Sequence, residues 1–406
     1  MTEKLYDADA TLQSFNCKVT GLYTVNETTL GVELDRTAFF PEGGGQTSDV
    51  GTLQPLRECG NTGAEPVYAA RDGEKINVEN VEICGDHLLH FVKNSEENVK
   101  KLQIGAVLHG AVDWTKRFSD MQQHSGEHIL SGVVHRQFGF NNVGFHLSQH
   151  EVTVDFDGEL TENDICKVED LVNEAIWRNL EIRAWYPSDK ALETLEYRSK
   201  KEIDGPLRLV EIPGVDLCAC CAPHVRRTGE IGALRVTAFE RHRGGMRLWI
   251  LCGERLLRDT REKLRQNHAV GKLLSCRQDE TADAVRRLKE KNAALAFELI
   301  GLKKELLHTR AQTHPQQQRI VESLDADVTL LREYADLLAD KAADFAAVFS
   351  PGDEKKLAVI SKTGFDLAPV GALLRNRFGA KCGGRGGVLQ GAVTATDDDL
   401  RALLSE

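Results

Sequence analysis

Seven residues between Val285 and Leu306 (Val285, Leu288, Asn292, Leu295, Leu299, Leu302 and Leu306) step by three and four without a break. Steps of that size return to one side of an α-helix, so the stretch reads as an a/d seam of about three heptads. Asn292 falls at an a position, where a polar residue can fix register and strand number. From Glu254 to about His314 there is no proline, glycine is scarce and charges are dense. Residues 254–314 are therefore expected to form a long helical stem and a candidate coiled coil. The seam does not name its partner: a homodimer through 285–306, an antiparallel hairpin and a docked amphipathic helix all give this spacing.

A chain of 406 residues is too long for one compact core, so two to four domains are expected. Residues 1–110 carry short apolar runs such as "CKVTGLYTV", "TLGVEL" and "KINVENVEIC", cut by turn residues; this is the pattern of small antiparallel β structure. Residues 111–253 mix periods. "DMQQHSGEHILSGVVHRQF" and "TENDICKVEDLVNEAIWRNL" are helical, the second with Thr161 as its cap, whereas "HEVTVDFDG" and "LEIRAWYP" read as strands. Residues 315–406 alternate helix and strand as a small α/β domain. The fold class is α+β and multidomain.

Apolar content of 41% and charged content of 28% are those of a soluble globular protein. No run of about eighteen apolar residues offers a membrane span, and "MTEKLYDADATLQSF" has no apolar signal core. Ten cysteines without an export signal point to a reducing, cytoplasmic setting, where clustered thiols mean metal or catalysis. A net charge of −11 argues against a protein that simply coats nucleic acid. The segment 254–319 is locally basic, with fifteen Lys and Arg against nine acids; local RNA contact and a solvated helix face both fit.

Two pairs of soft donors stand out. His124 and His128 lie four apart in "QHSGEH", and Cys220 and His224 lie four apart in "CACCAPHV". On a helix the first pair shares one face, and the second can do so across one turn. Three imidazoles and a thiolate suit Zn²⁺ in tetrahedral geometry. Core histidines with buried, inert thiols are the alternative, and on composition Cys218 or Cys221 could replace Cys220 as ligand. His87 and His90 in "DHLLH" lie in β-rich sequence and are expected to make surface or turn contacts. No H-E-x-x-H, G-x-S-x-G, P-loop or Rossmann fingerprint occurs, so those chemistries are not encoded.

Four motifs in order, "TAFFPEGGGQTSDVG" (37–51), "MQQHSGEHILSG" (121–132), "VTVDFDG" (152–158) and "CCAPHVRRTGEIG" (220–232), resemble those of the stand-alone alanyl-tRNA editing proteins of the AlaX family. These are relatives of the editing half of alanyl-tRNA synthetase. "AKCGGRGGVLQGAV" (380–393) resembles the glycine-rich loop of the DHH-associated domain that closes the synthetase, and the layout is that of the large AlaX form. The resemblance implies a small β-barrel-like N-terminal domain, a zinc-binding α+β editing domain, the stem, and a DHH-associated-like domain. No DHH triplet occurs, so a nuclease reading fails.

The resemblance further implies an aminoacyl-tRNA deacylase, an ester hydrolase that needs no ATP and clears seryl, and often glycyl, groups from mischarged tRNA(Ala). Zinc would be held by His124, His128, Cys220 and His224, which selects Cys220 over its neighbours. Gly43, Gly44, Gly45 and Gln46 would help bind the substrate, although "PEGGG" also makes a tight turn by itself. Gly383, Gly384, Gly386 and Gly387 with Arg385 could approach an RNA phosphate or simply form a packing turn. Homodimerisation could run through 285–306 or the C-terminal domain. Two positions depart from the synthetase pattern. Glu127 replaces a small hydroxyl residue, and could be a base, meet the substrate ammonium, or face solvent. Cys220-Cys221-Ala222-Pro223-His224 replaces C-G-G-T-H and gains a stiff proline. Competing readings are a non-catalytic tRNA-binding or assembly protein with structural zinc, and a deacylase of another mischarged tRNA.

Overall fold

The computed structural model describes residues 2–62, 65–70, 74–149, 151–199 and 207–405. It divides into two compact units, Met1–Gln266 and Asn267–Glu406.

The first unit begins with a closed six-stranded barrel. Its strands are β1 (Ser14–Thr24), β2 (Thr29–Leu34), β3 (Gly51–Thr62), β4 (Ile76–Cys84), β5 (His87–Lys93) and β6 (Val107–Val112). Each pairs antiparallel with its neighbours in the ring β1-β2-β5-β4-β3-β6, and β6 returns to β1. Closure leaves this ring no free edge. Alternation in β1 sends Phe15, Cys17 and Val19 inward to Val32, Leu34, Leu53, Val78 and Leu108, each burial contributing about 1.5–3 kcal/mol for the larger side chains.

His90 departs from the surface or turn contact expected of it. It is fully buried between two strands of the barrel wall, with Nδ1 on the Val32 carbonyl at 3.0 Å and Nε2 on Thr37 Oγ1 at 2.8 Å. Burial lowers its pKa from 6.5 to about 4, so Nδ1–H donates to the carbonyl and Nε2 accepts from the hydroxyl. The β-rich sequence around His90 names no partner for it, but an imidazole with both nitrogens satisfied is admitted to a core where a bare one is not. His87 does lie at the surface, against Glu33 and Tyr23.

The barrel hands over directly to α1 (Trp114–Phe138), capped by the Asp113 carboxylate on Lys116 N–H and ended by Gly139 at φ 73°. Every residue from Ser119 to Val134 is buried, although many are polar. Helices buried on all sides are normally apolar throughout; here each polar group is answered. Gln123 exchanges hydrogen bonds with both the N–H and the C=O of Cys252, and Asp120 pairs with Lys116 and Arg255. Arg117, also buried, pairs with Asp49 and donates to the Ala10 and Ala38 carbonyls, tying the helix to the barrel.

Against α1 pack α2 (Glu162–Trp177) and a four-stranded antiparallel sheet. That sheet runs in the order β7 (Asn142–Leu147), β8 (Val152–Phe156), β13 (Gly245–Cys252), β12 (Leu234–His242). A three-stranded sheet of β9 (Arg183–Trp185), β10 (Leu209–Ile212) and β11 (Asp216–Ala219) completes the region. The core joins Ile129, Val133 and Val134 to Val154, Phe156, Val168, Val172, Leu248 and Ile250.

The stem is two helices rather than one: α3 (Gly253–Leu274) and α4 (Thr281–Thr313). Ser275 adopts φ 52° and Cys276 N–H folds back to the Gly271 carbonyl, a local stop that helical periodicity does not announce. In the second unit a five-stranded sheet runs β14 (Gln317–Ser323), β15 (Ala342–Phe349), β16 (Glu354–Ile360), β18 (Val388–Thr394), β17 (Lys381–Gly383). Helices α5 (Val328–Ala339), α6 (Ala368–Phe378) and α7 (Asp397–Ser405) cover it. Among the described residues no helix is long and apolar enough to cross a membrane.

Candidate metal centre

The four donors expected from sequence converge. His124 and His128 share the inward face of α1, and Cys220 and His224 lie just beyond the end of β11. The metal-binding atoms of all four fall within 4.8 Å of one another. Cys220 Sγ lies 3.6 Å from His124 Nε2 and 3.4 Å from His224 Nε2. A tetrahedral ion with metal–sulfur and metal–nitrogen bonds of about 2.3 and 2.0–2.1 Å requires a sulfur–nitrogen edge of about 3.6 Å. The donors are spaced as that ion needs.

Each imidazole is oriented from behind. His124 Nδ1 donates to Gln46 Oε1 at 2.9 Å, His128 Nδ1 to Asp216 Oδ2 at 3.2 Å, and His224 Nδ1 lies 3.0 Å from Ser125 Oγ. The Gln46 carbonyl and the Asp216 carboxylate, which only accept, put the proton on Nδ1 of His124 and His128 and leave their Nε2 lone pairs for a metal; a metal on His224 Nε2 would put its proton on Nδ1, facing Ser125 Oγ. Asp216 is itself gripped by Arg198, whose Nε and Nη2 lie 2.7 and 2.8 Å from its two oxygens. Burial disfavours the Asp216 charge, yet the hydrogen bonds from His128 and Arg198 hold its pKa below the ordinary carboxylate value.

The Cys220–His224 loop owes its shape to Arg208, whose Nη1 donates to the carbonyls of Cys220 at 3.1 Å and Ala222 at 3.0 Å. Cys218 points into the core and is fully buried, while Cys221 is exposed. Cys218 also stands near His128 and Asp216 as a second, three-residue donor group; that group shares His128, and its carboxylate is already committed to Arg198.

The glycine-rich motif reaches the centre through Gln46. Gly45 has φ 84°, and a Cβ there would come within 2.3 Å of the Phe145 carbonyl, so only glycine lets this turn lie against β7. Gln46 is buried, with its Oε1 on His124 and its Nε2 unpaired. A buried unpaired N–H costs about 1–3 kcal/mol, and this one lies on the side chain that holds His124. Beside His224 opens a cavity of about 370 Å³, lined by Asp7, Asp9, Thr11, Arg208 and Arg226 among others.

Glu127 faces neither solvent nor this cavity's lining. It is fully buried, and its Oε1 accepts from Ser131 Oγ at 2.6 Å and Asn142 Nδ2 at 2.5 Å. The loop Gly383–Gly387 lies in the other unit, with Arg385 exposed. A Cβ on Gly384 would sit 1.8 Å from the Val388 carbonyl, whereas Gly383 and Gly386 face open space. Packing explains Gly384, φ 60° explains Gly386, and Gly387 combines φ 79° with a Ser361 carbonyl 2.5 Å from any Cβ; Gly383 has neither reason. Sequence reading missed Asp216, Arg198, Ser125 and Arg208. Only Ser125, lying beside His124, carried a signal of position, because the others reach the centre through chain folding alone.

The chain is similar to known proteins along much of its length. The family described as "Threonyl and Alanyl tRNA synthetase second additional domain" matches residues 207–248, which contain Cys220 and His224. Alanine--tRNA ligase of Pyrococcus furiosus is 27% identical over 99% of this chain, which spans only 43% of that protein. Alanyl-tRNA editing protein Aarsd1 of Danio rerio is 25% identical, with 93% of this chain and 89% of that protein aligned. Alanyl-tRNA editing protein AlaX-M of Methanosarcina mazei is 32% identical over 59% of this chain and 92% of its own length. With the four donors in place and that relative matched almost end to end, the chain belongs to the AlaX family of stand-alone alanyl-tRNA editing proteins.

Proposed function

We propose that the protein is a zinc-dependent trans-editing hydrolase that releases the wrong amino acid, chiefly serine and also glycine, from mischarged tRNA(Ala). The observation that carries this reading is the convergence of three anchored imidazoles and one thiol beside Gln46 of the glycine-rich motif. The relatives known as alanyl-tRNA editing proteins support the editing of tRNA(Ala). His124, His128, Cys220 and His224 would hold the ion, and a 3N/1S set is a zinc set. When bound, Zn²⁺ supplies a fixed positive charge for polarising and orienting the ester.

The rest of the work falls to side chains. Gln46 Nε2–H would donate to an oxygen of the aminoacyl group, with Gly43, Gly44 and Gly45 as the turn that carries Gln46 to His124. The cavity beside His224 offers space for the terminal nucleoside, within reach of Arg208 and Arg226. An aminoacyl ester is already activated, so positioning and charge stabilisation can suffice without ATP. A second site is needed because a pocket for a small apolar side chain rejects a hydroxyl analogue only about a hundredfold. For Glu127, the hydrogen bonds from Ser131 and Asn142 support a positioning role in α1 over that of base. Gly383, Gly386 and Arg385, with Lys381 exposed nearby, are assigned to RNA phosphate contact. All ten cysteines are free, which fits a cytoplasmic setting.

Four protein donors fill a tetrahedral ion, and this favours a second reading: a structural metal in a non-catalytic tRNA-binding protein. Release of labelled serine, glycine and alanine from the correspondingly charged tRNA(Ala) separates the two. Fast serine release with alanine spared, lost in His128→Ala while RNA binding persists, is expected of the hydrolase. About one zinc per chain with no release of any of the three moves the protein to the second reading or to another mischarged tRNA.

A further inference from the structure

We propose that Asp7 and Arg208 form a two-sided site for one hydroxyl group of the substrate, in the cavity beside His224. The identity of that substrate rests on the editing reading, which this site deepens by naming what holds the aminoacyl end.

Both groups are fixed from their far sides. Asp7 lies on the short helix Leu5–Ala8, and its Oδ2 accepts from the Tyr186 hydroxyl at 3.1 Å. Arg208 immediately precedes β10, and its Nη1 is held by the carbonyls of Cys220 and Ala222. These bonds leave Asp7 Oδ1 and Arg208 Nε 4.0 Å apart, with only 5% of the Arg208 side chain exposed. That separation is too long for a direct hydrogen bond, even between charged groups. Among the described residues neither atom has a hydrogen-bond partner. The second carboxylate of the cavity is already answered. Asp9 accepts from Thr11 N–H at 2.9 Å, from Thr11 Oγ1 at 2.6 Å and from Arg226 Nη2 at 3.2 Å.

The gap selects the chemistry of what fills it. An oxygen that accepts an N–H at about 2.9 Å and donates to a carboxylate at about 2.7 Å spans groups about 4–4.6 Å apart. Such an oxygen is donor and acceptor at once, as a hydroxyl is. An ammonium has only donors and would meet the Arg208 charge; a phosphate ester has only acceptors and would meet that of Asp7. Asp7 and Asp9 face Arg208 and Arg226 around the cavity, so a neutral group enters without disturbing that balance. A seryl ester on a terminal ribose carries two hydroxyls near the ester, the ribose 2′-OH and the serine side chain. The 2′-OH is common to seryl and glycyl esters, and it is the group by which a protein tells RNA from DNA.

Binding to the intact, zinc-loaded chain tests the site, with tRNA(Ala) carrying serine in a stable amide link to a 3′-amino terminus. Fluorescence anisotropy compares that ligand with its 2′-deoxy form and with its alanyl form. Loss of the hydroxyl that fills the gap should weaken binding about 10- to 100-fold, as for a hydrogen bond to charged groups. Weakening in the 2′-deoxy ligand assigns the site to the ribose; weakening in the alanyl ligand assigns it to serine. In Asp7→Ala the difference should vanish, while Asp7→Asn, which keeps an acceptor oxygen, should retain part of it. Asp7 is not one of the four donors, so zinc content should be unchanged in both variants. Equal binding of all three ligands overturns the proposal. So does a difference that survives Asp7→Ala, the response of a hydroxyl held elsewhere. Serine release from ordinary seryl-tRNA(Ala) by the same preparation reports separately on the editing reading. Release with equal binding removes the hydroxyl site alone, and a hydroxyl difference without release removes the hydrolase and leaves the site.

Discussion

Gln46→Leu tests how the centre is built, because the structure assigns Gln46 two opposite energetic effects. Its Oε1 accepts the His124 Nδ1 proton at 2.9 Å, while its buried Nε2 has no partner. Leucine removes the unpaired donor, a gain of about 1–3 kcal/mol, and strands the His124 N–H, a loss of about the same size. Unfolding of the metal-free chain in urea should therefore shift by no more than about 1 kcal/mol. Metal affinity responds differently. Loss of a hydrogen bond that fixes a ligand's tautomer and orientation typically costs 10- to 100-fold, about 1.4–2.7 kcal/mol. Competition against a chelator of known affinity reads that number directly, without any activity assay. A variant destabilised by several kcal/mol with unchanged metal affinity would falsify the assignment, since Gln46 would then be a packing residue.

Further expectations concern the rest of the first unit and the C-terminal loop. His90 has a folded pKa of about 4 against an ordinary 6.5, so the unfolded chain binds the proton more readily. Its contribution is complete above pH 6.5 and is lost as pH falls toward 4, reaching a deficit of about 2 kcal/mol near pH 5. Urea unfolding as a function of pH should show that slope, and His90→Gln should flatten it. Arg117→Met leaves Asp49 buried and unpaired, and should cost about 3–5 kcal/mol in thermal or urea unfolding; a loss below about 1 kcal/mol contradicts the pairing. Cys220→Ser should lose most bound metal and Cys221→Ser should keep it, as measured by metal analysis after dialysis. Gly384→Ala should destabilise the second unit by its clash with the Val388 carbonyl, whereas Gly383→Ala, facing open space, should leave unfolding unchanged and weaken RNA binding, as read by filter binding.

What could be read from the residues was whatever depends on spacing along the chain. The helix through Val285–Leu306 and the shared face of His124 and His128 both follow from the period of a helix. So does the inward alternation of β1, which follows from the period of a strand. What could not be read depends on contacts between distant segments. Cys220 is separated from Cys218 and Cys221 by the direction in which β11 leaves its sheet, which composition does not record. His90 reads as a surface or turn residue because its β-rich surroundings show no partner, and the satisfying groups, Val32 O and Thr37 Oγ1, lie more than fifty residues away. Glu127 resembles a free carboxylate in sequence, yet Asn142 reaches it from β7. The stop at Ser275 rests on one positive φ angle, too local a feature to disturb helical periodicity.

The support of the three imidazoles from three different places has a consequence for the order of assembly. Ser125 belongs to α1 and Asp216 to β11, but Gln46 comes from the loop between strands of the barrel. Helix formation alone can bring His124 and His128 together, and closure of β11 onto α1 can add His224 and Cys220. The last tautomer is fixed only when the barrel has closed and docked. Full metal affinity is thus a readout of completed folding of the whole first unit, and a chain arrested before that step would hold its ion loosely enough to surrender it.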